Sequence, residues 1–498
     1  MRCKKFLCVI FVSFLPFSLG CARLQVHSFV KDSQRPAEYT RFYALLDQTV
    51  RQSDVRDAAD FPLLGFPYLR TDRFSLGIEE RLKNESQKNL WIEFMRQQDL
   101  KGRIKEIQNL PDDTFRSLAQ KLNMPPNREA FIEKLSFYSE KLREHDSKQL
   151  DFYESVKKAT RDAGEYSFLR RAIGIYPVFY FPVKFATEKS YKKFKQWHSQ
   201  PISDLPVLGK MTIYTPHRKI NFPVEKEEPM AALIPRNALG MPQLDFQDID
   251  KLAWGLAPVF FQDVVSDYDQ FGRVEWQDSH LTINTQKPAV YYYVSYAWIK
   301  GEPVIQLNYV VWYQGRLGPN APWMERGPLD GLTVRITLDT FGWPIMMDVM
   351  NNCGCYHFFV PRKEKIKRIK SQAFGVSPLV PTWLLASFPQ KRINLRVNSG
   401  WHQVQHITAS DFPKEALDYD LIPYEALESL PHADGQRESA FDSKGIMKDS
   451  WRLEPWIFFS MGIPQVGFMR QRGHHAIKLL GRVHFTDPDL FDRTFVFK

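Results

Sequence analysis

The chain has little cysteine and nothing that matches a known catalytic spacing. It carries five cysteines in 498 residues, and two of these, Cys3 and Cys8, lie ahead of residue 20. That rules out a disulfide framework and leaves stability to burial. There is no His-Glu-x-x-His, no Gly-x-Ser-x-Gly, no phosphate loop and no paired metal-finger spacing. The hydrolase and nucleotide-binding classes defined by those spacings are therefore excluded. No glycine-rich turn joins an alternating strand and helix, so a doubly wound nucleotide-binding sheet is not expected. Short-period repeats and long low-complexity tracts are missing as well. What remains is 44% hydrophobic, 14% aromatic and 25% charged, an ordinary packed composition with material for two or three domains.

The first residues read as an export signal. Arg2, Lys4 and Lys5 precede an apolar run from Phe6 to Phe17 that is too short to span a bilayer, and Ser18-Leu19-Gly20 offers small residues for a cut. Ser-Leu-Gly-Cys resembles the lipobox of bacterial lipoproteins, with Ser18 where that pattern prefers Leu. The resemblance implies a signal over 1–20, acylation of Cys21 and a tether over 21–40. Because Ala22 rather than Asp follows the cysteine, it also implies an outer-membrane location, lipid-anchored on the periplasmic face, with the membrane as a partner through N-terminal acyl chains. Several chains anchor firmly where one binds only marginally. Only Cys353 and Cys355 are then left in the fold.

The rest of the chain is expected to be α+β, an N-terminal helical domain over 41–203 followed by a mainly antiparallel β domain over 204–498. Residues 81–200 hold 24 Lys or Arg against 16 Asp or Glu, most of the formal net charge of +10. Leu100, Ile104 and Ile107, then Phe131, Leu135, Tyr138 and Leu142, keep a helical stripe. Asp112 or Asp113, and Asn127, are candidate caps. The run from Phe168 to Phe185, with Pro177 and Pro182, reads as buried extended chain, and Trp197 to Pro206 as a linker. Beyond it, Leu332, Val334, Ile336 and Leu338 alternate with polar residues as a half-buried strand that turns at Thr340-Phe341-Gly342. A second hairpin runs from Ala289 to Tyr313 through Lys300-Gly301, and Ile393, Leu395 and Val397 mark a further strand. Helices are expected near Ile249 to Leu256 and Ala416 to Leu427.

Candidate chemistry centres on Cys353-Gly354-Cys355-Tyr356-His357. In an extended chain, residues 353, 355 and 357 share one face at intervals of roughly 6 to 7 Å, a spacing at which two thiolates and an imidazole can meet one zinc ion, with His474 or His475 as the fourth ligand. Two other readings stand beside zinc. One is a small disulfide between Cys353 and Cys355, and the other is a pair of buried reduced cysteines with His357 hydrogen-bonded in the core. Catalytic candidates are Cys355 and His357, with Glu325 or Asp330 as a general base, although a turn aspartate is the ordinary use of Asp330. His402 and His406, on an extended chain, stand roughly 13 Å apart and read as sheet-surface residues.

A second candidate site is the aromatic hairpin. Tyr293, Trp298 and Trp312 are ligand-binding candidates that would stack on sugars of peptidoglycan or lipopolysaccharide if exposed, and core packing is the competing use of such rings. The basic cluster Arg362, Lys363, Lys365, Lys367, Arg368 and Lys370 suits anionic headgroups or a solvated face. Nucleic acid is not an expected partner.

Leu329-Asp330-Gly331, Arg335 to Leu338, Cys353-Gly354-Cys355-Tyr356-His357 and Gly473-His474-His475-Ala476 together resemble an uncharacterised family of proteobacterial lipoproteins over much of 230–498. The resemblance implies export and domain extent, and no reaction. Two function classes follow: a lipid-anchored envelope protein with a binding or structural role, which is favoured, and a metal-dependent or thiol hydrolase centred on the Cys-Gly-Cys-Tyr-His segment.

Overall fold

Local signals start the helices of the first half. Asn84 accepts a hydrogen bond from Gln87 N at 3.0 Å to open Glu85–Asn109, and Asn127 accepts one from Ala130 N at 2.9 Å to open Arg128–Asp146. Asp112 and Asp113 lie instead in the first turn of Asp112–Lys121, behind Pro111, where they face the helix dipole. The structure is a computed structural model that describes residues 35–160, 164–225, 228–371 and 375–498. The signal, Cys21 and most of the tether lie outside the described residues, and a helix has begun by Ala37.

The first half packs these helices around Phe42, Tyr68, Trp91, Phe131 and Leu135. Its core also buries Arg70 and Arg103. Arg70 pairs with Asp99 at 3.1 Å and Glu106 at 2.8 Å, and Arg103 pairs with Asp99 at 2.9 Å. Buried guanidinium groups are tolerated only when paired in this way.

The second half is built on a ten-stranded sheet in the order Phe358–Pro361, Pro344–Asn351, Gly327–Leu338, Glu302–Arg316, Ala289–Ile299, Leu417–Pro423, Lys210–Pro216, Val259–Val264, Arg392–Val397 and Val404–Ser410. Both expected hairpins are present, and most pairs are antiparallel. Leu417–Pro423 runs parallel to both of its neighbours, and Val259–Val264 runs parallel to Arg392–Val397. The class is α+β.

Several expectations are corrected. The strand through Leu332 is buried on both faces, not one. Leu332, Val334, Ile336 and Leu338 enter the main core, while Thr333, Arg335 and Thr337 are buried on the other side in a polar layer. In that layer Arg335 forms a two-point ion pair with Asp348, directly opposite it on the neighbouring strand. Alternation of polarity thus marks the strand but not the solvent. Residues expected to form a helix over Ala416 to Leu427 form a strand and a 3-10 turn, Tyr424–Glu428, whereas Phe246–Leu256 is a helix as expected.

The segment from Phe168 to Phe185 is not buried extended chain. It forms the helix Phe168–Ile173 and the first part of Tyr176–Ser199. Pro177 sits in the first turn, where its missing N–H costs no intrahelical bond. The helix also runs into the start of the expected linker, ending at Ser199, and its last turns pack on the sheet, with Phe194 and Trp197 in the same core as Leu332. Among the described residues, no helix is long and apolar enough to cross a membrane.

A candidate site behind the Cys-Gly-Cys turn

The strand Pro344–Asn351 ends in a tight turn. Gly354 N donates to Asn351 O at 2.7 Å, and Asn351 N donates to Cys355 O at 3.0 Å. Gly354 has a φ of 92°, and a Cβ there would lie 2.4 Å from Ala476 O. Only glycine meets both demands. Asn352 ties the turn to the sheet: its amide donates to Val311 O at 3.2 Å and its carbonyl accepts from Thr333 Oγ1 at 2.7 Å.

The turn forms one wall of a cavity of about 300 Å³. Val183, Thr187 and Tyr191 of the helix Tyr176–Ser199 form another wall, and aliphatic residues such as Ile463, Val466 and Leu480 complete it. Its ionisable groups are few, the thiols of Cys353 and Cys355, the carboxyls of Glu325 and Glu454, Tyr356, His357 and Lys478, and Thr187 and Ser190 add hydroxyls on the helix side.

These groups are strongly conditioned. The Cys355 thiol donates toward Cys353, and with the nearby Arg316 guanidinium this outweighs burial and holds the Cys353 thiol down to about 7. The same hydrogen bond, joined by burial, drives the Cys355 thiol well above its ordinary value. Burial, reinforced by the charges of Cys353 and Glu325, pushes Glu454 well above the ordinary glutamate range, which favours its neutral acid. Lys478 is pulled down to about 8 by burial and by Arg493.

Glu325 is held from three sides: Arg316 Nη1 donates to it at 2.6 Å, Trp401 Nε1 donates at 3.0 Å, and the Tyr356 hydroxyl donates to its other oxygen. Arg316 also forks onto Asp330, with bonds of 3.1 and 2.9 Å. Asp330 accepts in turn from His402 Nδ1 at 2.7 Å, and His402 Nε2 stands 3.2 Å from Asp269. His402 is therefore not a sheet-surface residue. It is wholly buried, in a left-handed backbone conformation, with its ring stacked on Tyr313 at 3.9 Å. His406 is half-buried and stacks on His198 instead.

The structure brings Cys353, Cys355, His357 and Glu325 to one cavity and leaves Asp330 one layer behind it. The zinc arrangement does not form. The chain turns rather than extends through 353–357, and His357 Nε2 is engaged by Asp348 at 2.8 Å. His474 lies between Glu165, at 2.7 Å, and Ala58 O, at 2.6 Å. His475 is buried near Phe485, and burial drives it down to about 3. Among the described residues, no group of three or more His, Cys, Asp or Glu is placed to hold a metal ion. Cys353 and Cys355 are free thiols in the structure.

The aromatic candidates are also corrected. Tyr293, Trp298 and Trp312 are all buried, and Trp298 stacks on Phe74 at 5.3 Å, so none presents a face to a sugar. Of the basic cluster, Arg362 donates to Pro344 O and Phe388 O and braces a loop, while its neighbours Lys363, Lys365, Lys367 and Arg368 are exposed. Sequence reasoning missed Arg316, Glu454 and the inner face of Tyr176–Ser199. Arg316 lies beyond Tyr313, where the expected hairpin ends, and closes the observed strand Glu302–Arg316, while Glu454 lies about a hundred residues from the thiols it faces.

No family model matches the chain, and neither does any curated protein or any solved structure.

Proposed function

We propose that the chain is a lipid-anchored envelope protein, held at the outer membrane through acyl chains on Cys21 with its fold on the periplasmic side. Membership of a proteobacterial lipoprotein family is part of this reading. Its role is to bind one apolar chain, a fatty acyl group either free or carried by a phospholipid or lipopolysaccharide, in the cavity behind the Cys-Gly-Cys turn. The observation that carries the reading is the cavity itself, whose roughly 300 Å³ lies at the lower end of the range for small-molecule sites and whose walls are mostly aliphatic. A mostly aliphatic lining with few ionisable groups, Glu454 among them and favoured as the neutral acid, suits a ligand with a single polar end. Peptidoglycan contact loses its support, because the rings that would have stacked on sugars are buried.

The test is binding of a fluorescent long-chain fatty acid by the purified protein, with organic extraction to identify any ligand carried through purification. Filling the cavity with Thr187→Trp should weaken binding by roughly tenfold or more. Protein that is empty on extraction and shows no affinity for the fatty acid would overturn the proposal.

A second reading, a thiol hydrolase at the same cavity, is favoured by the lowered Cys353 thiol. His357 lines the same cavity, with Nε2 held by Asp348 at 2.8 Å, the way a carboxylate orients a catalytic imidazole, but no hydrogen bond joins it to Cys353 among the described residues. Hydrolysis of acyl esters that disappears in Cys353→Ser and survives in Cys355→Ala would support it.

A further inference from the structure

We propose that the outward face of the helices Phe168–Ile173 and Tyr176–Ser199, together with the neighbouring segment around Trp456, docks on an anionic lipid bilayer. This inference rests neither on Cys21 nor on a ligand in the cavity.

Apolar side chains on this face are exposed to a degree that a folded chain rarely tolerates in one place. Phe168 is 74% exposed, Phe181 and Phe185 are each 72% exposed, and Trp456 is 85% exposed. Ile173, Ile175, Val178 and Phe179 lie among them and are exposed as well. Val178, Phe181 and Phe185 follow the spacing that places residues on one side of a helix. The two parts of the patch are contiguous. Ser167 N donates to Gly462 O at 2.6 Å, and the Arg170 guanidinium lies 5.5 Å from the Phe459 ring. Contiguous apolar surface of this kind marks an interaction site.

The outward side chains have no internal alternative, because the other side of the long helix is already committed. Val183 and Tyr191 line the cavity, Tyr180 Oη accepts from Gly375 N at 2.7 Å, and Phe194 and Trp197 lie in the sheet's core. Rotating the helix to hide the phenylalanines would expose that inner face.

Charge selects the partner. Tyr176–Ser199 contains five lysines and one glutamate, and Lys189, Lys192 and Lys195 are exposed, with Arg170 and Arg171 in the preceding helix. An apolar strip bordered by lysines, with a tryptophan at its edge, is the pattern of a helix lying in the plane of a membrane interface, where anionic headgroups attract the cations. A second copy of this chain would bring the same lysines against each other.

The experiment is hydroxyl-radical footprinting of the full chain, free and with vesicles of phosphatidylglycerol mixed with phosphatidylethanolamine. Labelling of Phe181, Phe185 and Trp456 should fall severalfold on the vesicles, while Phe246 and Phe341, also exposed but elsewhere, keep theirs. The double variant Phe181→Asp with Phe185→Asp, folded by circular dichroism, should lose the protection of Trp456 and bind these vesicles at least roughly tenfold more weakly. Neutral phosphatidylcholine vesicles should protect less. Unchanged labelling on vesicles, as when the chain attaches only through its N-terminal leader, would overturn the proposal. So would protection that rises with protein concentration without lipid, the mark of self-association.

Discussion

Gly354 stands so close to Ala476 that a Cβ on it would lie 2.4 Å from the Ala476 carbonyl oxygen. Gly301 has a similar backbone, with a φ of 82°, but nothing within 4 Å. Gly301→Ala should therefore cost about 1 kcal/mol, from backbone conformation alone. Gly354→Ala should cost about 2–4 kcal/mol, because strain and overlap add. Urea midpoints of the two variants measure the difference, and equal costs would mean that the close approach does not matter.

His402, between Asp330 and Asp269, gives a pH test. Burial alone would lower its pKa, but its hydrogen bonds to the two carboxylates outweigh that and raise it above the ordinary 6.5. Its contribution to stability is complete below 6.5 and is lost as pH rises through the higher folded value. His198, His357 and His475 are lowered and act in the opposite sense as pH falls below 6.5. The informative quantity is therefore the difference between the native chain and His402→Gln. That difference should shrink on going from pH 6 to higher pH. Removing the imidazole should cost about 3–5 kcal/mol near pH 6, since it leaves buried carboxylates short of a partner. A pH-independent difference in thermal midpoint would refute this assignment.

The two halves are clamped by a buried cluster in which Glu428 takes Lys105 from the helix Glu85–Asn109 and Arg472, at 2.8 Å, from near the C-terminus. Glu428→Gln should destabilise the whole chain by about 2–3 kcal/mol, because Lys105 keeps only Asp57 and Arg472 only Glu425 as counter-charges. Equilibrium denaturation followed in both halves would show it. A loss confined to one half would mean that the clamp does not couple them.

The thiol pair should titrate in two widely separated steps. Ultraviolet absorbance of thiolate should show the first near 7, assigned mainly to Cys353, where the ordinary value is 9.0. In Cys355→Ala that step should move upward, since the hydrogen bond from Cys355 is the largest influence lowering it. A single step at the ordinary thiol value in the native protein would contradict the geometry of the turn.

The residues that could be read in sequence are those whose neighbours are local. Asn127 caps the helix that starts beside it, and the hairpin through Lys300-Gly301 pairs strands joined by that turn. The Cys-Gly-Cys segment was also visible, because its glycine is unusual between two thiols. Of its surroundings Glu325 was legible as well, but Arg316, which reaches the turn through Glu325, and Glu454, about a hundred residues further along the chain, were not. His402 was misplaced because its setting is supplied by Asp269 and Asp330, more than seventy residues away. Phe168 to Phe185 was misread for a different reason. Apolar composition normally signals burial, and here many of the apolar residues point outward, while Pro177 sits in the first turn and Pro182 lies inside the helix, which continues in spite of it.

The strand Leu417–Pro423 closes the sheet by entering between Ala289–Ile299 and Lys210–Pro216, chain that precedes it by well over a hundred residues. Until it arrives, each of those two strands keeps an unsatisfied row of backbone donors and acceptors, the kind of edge that recruits foreign strands. A chain emerging from the ribosome thus has no finished sheet until nearly all of it has been made. Any product truncated before residue 417 would be left with two sticky borders and a strong tendency to aggregate.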